Sequence, residues 1–496
     1  MKFLGIDVGT GGSRAVVIDE NGKICAAATA EHAAFASPEI GWAEQSPDDW
    51  WRACRAAIGE VLRTVAADEI GAVGFSGQMH GSVFLDEHDE VLHPALLWCD
   101  QRTGKQCAEI TDKIGAERLI ELVSNPAITG FTLPKLLWLR ENRPEIWTRV
   151  KTVLLPKDYI RLRLSGDRAS DVADSSGTLY FDVQNRRWSD AMLDSFGIDR
   201  SLMPEVFESV EPTGKVSAAG AAATGLCEGT LVVAGAGDNA AGAIGMGIVA
   251  PGTVSATIGT SGVLFAVTDQ PRIDLKGRIH TLCHAIPGRW HNTGVTQGAG
   301  LSLKWFRENF GAGRSYDELT DAAARIASGS DGALWLPYLM GERTPHLDAR
   351  ARAAFVGLTA SHTKAHLVRA VLEGVAFSLR DSLEIFKELG AGIASIRLGG
   401  GGAKSPLWRQ IQADVYGQAV ETIEADEGAA FGAAILAGVG AGAWNSVDEA
   451  CRATIRVAER VEPQPASVAE LNRNYAAYKL LYAALKPAMN ILNGEI

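Results

Sequence analysis

None of the seven cysteines (25, 54, 99, 107, 227, 283 and 451) stands in a C-x-x-C pair. Their odd number and wide scatter indicate neither a zinc knuckle nor a disulfide framework, which suits a reducing compartment. A basic excess is missing too: 47 Lys and Arg against 59 Asp and Glu leave a formal net charge of −12. That balance offers no surplus of cations for a phosphate backbone or an anionic lipid surface, so nucleic-acid and membrane partners are disfavoured. The longest uncharged stretch, Asn239 to Thr268, contains Pro251 and many Gly, Ser and Thr residues. It reads as strands and turns rather than a membrane helix. Asp7 interrupts the apolar opening too early for a signal-peptide core. The expected location is cytoplasmic.

Glycine is what the chain has in abundance, 54 of 496 residues, against a usual share of about 7%. The length suggests two to four domains. An apolar run over residues 3–8 enters Gly9-Thr10-Gly11-Gly12-Ser13-Arg14, and a second run, Ala15 to Ile18, leaves it. Asn21-Gly22 is a hairpin turn signal, with Lys23 to Ala28 as the next strand. Residues 48–66 carry apolar side chains at helical spacing, with Ser46 as N-cap and Pro47 at the first helical position. A strand over Ile70–Phe75 then runs into Ser76-Gly77-Gln78-Met79-His80-Gly81.

The opening pattern recurs. Residues 252–258 read as a strand, Gly259-Thr260-Ser261-Gly262 as a turn and Val263–Val267 as a second strand. A helix over Ala365–Leu389, a strand over Ser395–Leu398 and the Gly399–Gly402 turn follow, with Ser405 as N-cap and Pro406 opening another helix. Two strand–glycine turn–strand units imply a duplicated α/β domain, divided in the glycine-rich region around residues 240–252. Ser467 to Leu485 reads as a final helix with Leu471, Tyr475, Tyr478, Leu481 and Ala484 on its apolar face, packed on its own domain or on a partner.

The first glycine turn lacks the Gly-Lys-Ser/Thr of a Walker A loop and the third glycine and following helix of a dinucleotide fingerprint. It leaves a hairpin turn whose backbone N–H groups and hydroxyls can approach an anion, and an ordinary tight turn reads the same way. Two such turns facing one another can clamp a polyphosphate. Asp238 follows an apolar strand and a glycine turn. It either caps a helix or serves as general base for a hydroxyl. Asp7, inside an apolar strand, is either hydrogen-bonded to the adjacent turn or in contact with a magnesium–nucleotide complex through water. Met79, His80 and Trp98 are packed residues or substrate contacts.

Taken together these residues resemble the FGGY carbohydrate kinase family. The resemblance rests on Asp7-Val8-Gly9-Thr10, Gly77-Gln78-Met79-His80-Gly81, Leu97-Trp98-Cys99-Asp100-Gln101-Arg102, Gly235-Ala236-Gly237-Asp238-Asn239 and Ile258-Gly259-Thr260-Ser261-Gly262. Two longer stretches, Gly130–Asn142 and Phe355–Glu373, resemble the family's signature patterns. The resemblance implies an α/β fold of two actin-like (ribonuclease H-like) domains flanking a catalytic cleft. Residues 1–247 would hold the sugar and the first phosphate loop, and residues 248–496 would hold ATP and carry the C-terminal helix. It implies ATP and Mg²⁺ as cofactors, Asp238 as proton acceptor, and Asp7 at the magnesium end, bound through water. Thr10, Gly11, Gly12 and Arg14 match the first phosphate loop, Gly259 and Thr260 the second, and Gly401 and Gly402 the adenosine turn. Met79, His80, Asn239 and Trp98 match sugar contacts.

Glycerol kinases carry Arg-Glu where Met79-His80 stand, which disfavours glycerol; the resemblance implies a ketopentose, D-xylulose, phosphorylated at its 5-hydroxyl. Gly11 and Gly12 supply no side-chain oxygen where related kinases often have hydroxyls. The alternatives are another ketose or polyol (ribulose, a hexulose, glycerol), a non-catalytic sugar-sensing protein of the same fold, or a dinucleotide-dependent oxidoreductase. A homodimer is the assembly the resemblance allows.

Overall fold

In the first half of the chain, short apolar runs yield β1 (Lys2–Val8) and β2 (Gly12–Asp19), and with β3 (Ile24–Glu31) they form an antiparallel meander. The turn after β2 closes at Gly22, whose φ of 78° favours glycine. Helix α1 (Pro47–Val61) begins as expected with Pro47, although the Ser46 side chain makes no capping bond. Strand β4 (Ile70–Gly77) returns parallel to β1. A long excursion carries α2 (Thr132–Asn142) before β5 (Pro212–Lys215), β6 (Leu231–Val233), β7 (Ala236–Gly237) and α3 (Asp238–Gly245). The sheet order is β5-β6-β4-β1-β2-β3, with β7 extending the pairing with β4. This computed structural model describes residues 1–424 and 427–494.

The second half repeats the plan. It contains β8 (Thr253–Ile258), β9 (Gly262–Thr268), β10 (His280–Cys283), β11 (Trp290–Thr296) and α4 (Ala299–Phe310). Then come α5 (Lys364–Glu388), β12 (Ser395–Gly400), α6 (Pro406–Tyr416) and β13 (Val420–Ile423). The chain ends with α7 (Gly428–Gly440), β14 (Val457–Val461) and α8 (Pro465–Leu492). The order β10-β11-β9-β8-β12-β13-β14 has the same core, because β11-β9-β8-β12-β13 run in the directions and connectivity of β3-β2-β1-β4-β6. This is the actin-like arrangement that the sequence led us to expect.

One face of the first sheet packs on α1 through Leu4, Val17, Val73, Trp50 and Ile58. The other face, with Phe3, Val16 and Ala72, packs on Ala241 and Ile244 of α3 and Phe431 and Ile435 of α7. Small residues let these segments approach backbone to backbone. A Cβ on Gly5 would sit 1.9 Å from the Ala430 carbonyl oxygen, one on Gly74 2.1 Å from that of Ala433, and one on Gly432 1.8 Å from that of Ala241. A helix late in the chain therefore covers the sheet that opens it. Helix α8 packs on its own half, burying Leu471, Tyr475, Tyr478 and Met489 in the core formed with α5 and α6.

Candidate active site

The parallel pairing of β1, β4 and β7 brings the ends of three strands side by side. Asp7 stands across from Arg14 on one neighbour and Ser76 on the other, and Ser76 stands across from Ala236, two residues before Asp238. Ligands collect at such carboxyl ends because the following turns are free to vary. Asp238 is the first residue of α3, with Gly237 as N-cap. Its carboxyl is pushed up to about 7, first by burial and then by the nearby Asp7 charge. Burial also raises Asp7, with the Ser76 hydroxyl and Arg14 drawing it part of the way back. The Asp7 Oδ1 atom is buried without a hydrogen-bond partner among the described residues.

Asp238 lies on the common wall of two cavities of about 280 and 290 Å³. The first brings together Met79, His80, Trp98, Asp238 and Asn239, all five named from the sequence. Met79 is buried against Gly237, where a Cβ would come within 2.7 Å of its Cγ, and the Asn239 amide donates to its sulfur at 3.4 Å. His80 holds a φ of 67°. The fully buried Lys135 ammonium on α2 fixes it there by donating to the His80 carbonyl at 2.7 Å and the Gly130 carbonyl at 2.8 Å. Burial lowers that ammonium to about 7. The His80 Nδ1 lies 2.8 Å from the Gly177 carbonyl and must carry the proton, since a carbonyl only accepts. Burial lowers this imidazole to about 3, so it is neutral and its Nε2 is an acceptor.

A third cavity, of about 430 Å³, unites Gly259 and Thr260 with Gly401 and Gly402. The second glycine turn is strapped to the start of α4: Gly300 N–H donates to the Gly259 carbonyl at 2.8 Å and Leu301 N–H to that of Thr260 at 3.1 Å. Ser405 caps α6 by accepting from Trp408 N–H at 3.4 Å. Sequence reasoning missed Lys304, Tyr316, Asp317 and Thr320 on the same cavity wall. No glycine cluster announces them, because they lie on helices whose exposed faces resemble any other polar face.

The first glycine turn is arranged differently. Thr10 Oγ1 donates to Gln78 Oε1 at 3.1 Å and accepts from Trp98 Nε1 at 3.0 Å. Gln45 donates to the Thr10 carbonyl at 2.8 Å. Ser13 points inward, its hydroxyl 2.8 Å from His32 Nε2. What this turn can present to an anion is therefore backbone N–H. Gly12 belongs to β2, where a Cβ would meet the Ala30 carbonyl oxygen at 2.8 Å. Arg14 pairs with Glu427 at the start of α7 (Nε to Oε2, 2.9 Å) and donates to Thr29 at 2.7 Å. Gly11, Gly12 and Arg14 line none of the three cavities.

Duplicated sheets, a small cavity at Asp238 and a larger one at a second glycine turn define an actin-like phosphotransferase. Models of the FGGY family of carbohydrate kinases match the chain twice, the N-terminal domain over residues 2–245 and the C-terminal domain over residues 254–441. The chain is 38% identical over 489 residues to a xylulose kinase of Bacillus subtilis, with 98% of each chain covered. It is 40% identical over 484 residues to a xylulose kinase of Lactococcus lactis, covering 97% of this chain and 96% of that one. The crystal structure of a xyloylose kinase from Brucella ovis matches with a TM-score of 0.92 at 38% identity, over 98% of this chain and 100% of that one. The chain belongs to the FGGY family of carbohydrate kinases. Among the described residues no helix is long and apolar enough to cross a membrane.

Proposed function

We propose that this chain transfers the γ-phosphoryl group of ATP to the 5-hydroxyl of D-xylulose. The observation that carries this reading is Asp238, a carboxylate with a pKa near 7 on the wall shared by the sugar-sized cavity and its neighbour. Phosphoryl transfer requires positioning and charge neutralisation more than covalent chemistry, so one well-placed base suffices. Asp238 takes the hydroxyl proton as the oxygen attacks, while Met79, His80, Trp98 and Asn239 hold the sugar. The nucleotide lies in the cavity of Gly259, Thr260, Gly401 and Gly402. Thr10, Gly11 and Gly12 serve the phosphate chain from the first half through backbone N–H, and Arg14 can join them only by leaving Glu427. In this reading residues 1–247 carry the sugar side and residues 248–496 the nucleotide side.

Among the described residues no cluster of three His, Cys, Asp or Glu could hold a metal by itself. Mg²⁺ suits such a site, because it keeps water and phosphate ligands and asks little of the protein. The unpartnered Asp7 Oδ1 is the oxygen that fits its hydrated shell. When bound, the ion neutralises phosphate charge. Closure of the halves would keep water from competing as acceptor.

The test is ADP release with Mg²⁺ and ATP across D-xylulose, L-xylulose, D-ribulose, L-ribulose, D-fructose, D-allulose and glycerol, with a no-sugar blank. The expected result is the highest kcat/KM for D-xylulose. A different sugar in first place would move the substrate and keep the chemistry. No sugar-dependent ADP would favour a sensing role.

A further inference from the structure

Arg343 comes from the second half of the chain and lines the sugar cavity together with Met79 and His80. It is half-buried, yet its guanidinium has no hydrogen bond or ion pair to any described residue. The adjacent Glu342 offsets part of its burial through charge but accepts nothing from the guanidinium. That carboxyl accepts from Thr296 Oγ1 at 2.5 Å, Ser378 Oγ at 3.1 Å, Gln297 N–H at 3.0 Å and the backbone N–H of Arg343 at 2.8 Å. A cation held in a cavity without a partner is costly unless a ligand supplies the acceptor.

Three other polar groups of this cavity are acceptors only, while Asn239, Ser261 and Thr293 can both donate and accept. His80 is neutral with Nε2 free. His280 lies 3.1 Å through Nδ1 from Asn125 Oδ1, an oxygen that also accepts from Thr281 N–H at 3.3 Å. The His280 Nδ1 therefore carries the proton, and burial holds the ring neutral, lowered to about 3. Its Nε2 is a second acceptor, and Asp238 is a third. Arg343 is donor-only. Sugar hydroxyls both donate and accept, so they can satisfy the acceptors. An open-chain ketose has one group that only accepts, the carbonyl oxygen.

This matters for transfer to the 5-hydroxyl of a 2-ketopentose. The furanose ring of such a sugar closes through O5, which removes the hydroxyl to be phosphorylated. The reacting form is therefore open-chain and displays its C2 ketone. We propose that Arg343 binds this carbonyl oxygen and so selects the ketose over its reduced polyols. The inference rests on the ketopentose reading above and deepens it.

The experiment measures kcat/KM of the wild type, Arg343→Gln and Arg343→Lys for D-xylulose and for its C2-reduced forms, xylitol and D-arabinitol. ADP affinity and Tm of each variant report on the fold. The wild type should prefer the ketose. Arg343→Gln should collapse the ketose-to-polyol ratio by about 100-fold, mainly through KM, because the donor matched to the carbonyl is lost. Arg343→Lys, which keeps a cationic donor without the planar fork, should recover part of the ratio. Equal losses on ketose and polyol, with ADP affinity and Tm intact, would overturn the carbonyl assignment and leave the kinase reading standing. Wild-type turnover of D-xylonate above that of D-xylulose, abolished by Arg343→Gln, would show a carboxylate as the guanidinium's partner and also overturn it. A wild type inactive on D-xylulose would overturn the substrate reading and this inference together.

Discussion

The two halves share five strands in direction and connectivity, yet each places its excursion in a different crossover. In the first half the long insertion lies between β4 and β6 and supplies Met79, His80, Trp98 and Phe131 to the sugar-sized cavity. In the second half that crossover is short, holding little beyond α6, and the insertion lies between β11 and β12. It brings Lys304, Tyr316 and Thr320 to the larger cavity. The glycine turns diverge accordingly. The first is wrapped in side-chain hydrogen bonds from Gln45, Gln78 and Trp98, whereas the second opens onto a cavity. Duplication therefore supplies two equivalent turns, and the site of insertion decides what each turn faces.

Asp238→Ala tests that division most severely. Turnover should fall about 10³-fold, within the usual range for a general base, while calorimetry still detects sugar and ADP binding. Near-wild-type turnover would falsify the assignment of Asp238 as base. At the seam between halves, Gly432→Val would drive a side chain into the Ala241 carbonyl, 1.8 Å from the added Cβ. A loss of about 3 kcal/mol or more is expected in denaturant unfolding, since a backbone cannot step aside. Gly59→Ala on the exposed face of α1, with nothing within 4 Å of the new Cβ, should instead gain about 0.5–1 kcal/mol.

The two turns can be separated with Gly300→Ala, whose Cβ would lie 2.3 Å from the Gly259 carbonyl oxygen. It should raise KM for ATP by roughly tenfold and leave KM for the sugar near its starting value. A parallel rise in both would undo the separation.

The pH profile bears on the carboxylates. Asp238 must be ionised to accept a proton, so kcat/KM should rise with pH through an acid limb near 7. Asp7 is one of the causes that raise Asp238, so Asp7→Asn should move the limb to lower pH. Because the folded-state value lies above that of an unfolded aspartate, folding takes up a proton between about 4 and 7, and stability falls as pH rises through that window. Asp238→Asn should accordingly raise Tm more at pH 8 than at pH 5. The smallest effect is expected from a double-mutant cycle on Arg14 and Glu427. A part-exposed pair of this kind couples by about 0.2–1 kcal/mol, and a far larger value would make it a principal lock between the halves.

Much of the fold was legible because its signals are local. Short apolar runs, Asn21-Gly22, Pro47 and Pro406 each mark their own element, and repetition of the strand–turn–strand unit reveals the duplication. The residues gathered around Asp238 were legible because each follows a strand end or a glycine turn. What could not be read is long-range. Glu427 meets Arg14 across 413 positions, and Arg343 and His280 reach the sugar cavity from the opposite half. Ser13 looked available to an anion in sequence, but strand alternation turns its hydroxyl into the core beside His32. The crossing of α7 onto the first sheet shows in the sequence only as a run of glycine and alanine, which any close-packed helix would share.

That crossing limits how the molecule can change. At Gly5, Gly74 and Gly432 the contact between α7, α3 and the first sheet is main chain against main chain, and a main chain has no alternative rotamers. Enlarging one of these glycines cannot be offset by trimming what it meets, because that is a backbone carbonyl. Gly5, Gly74 and Gly432 thus form positions where compensating substitutions do not exist, and library selections for variant substrate preference would return the cavity walls altered and this seam unchanged.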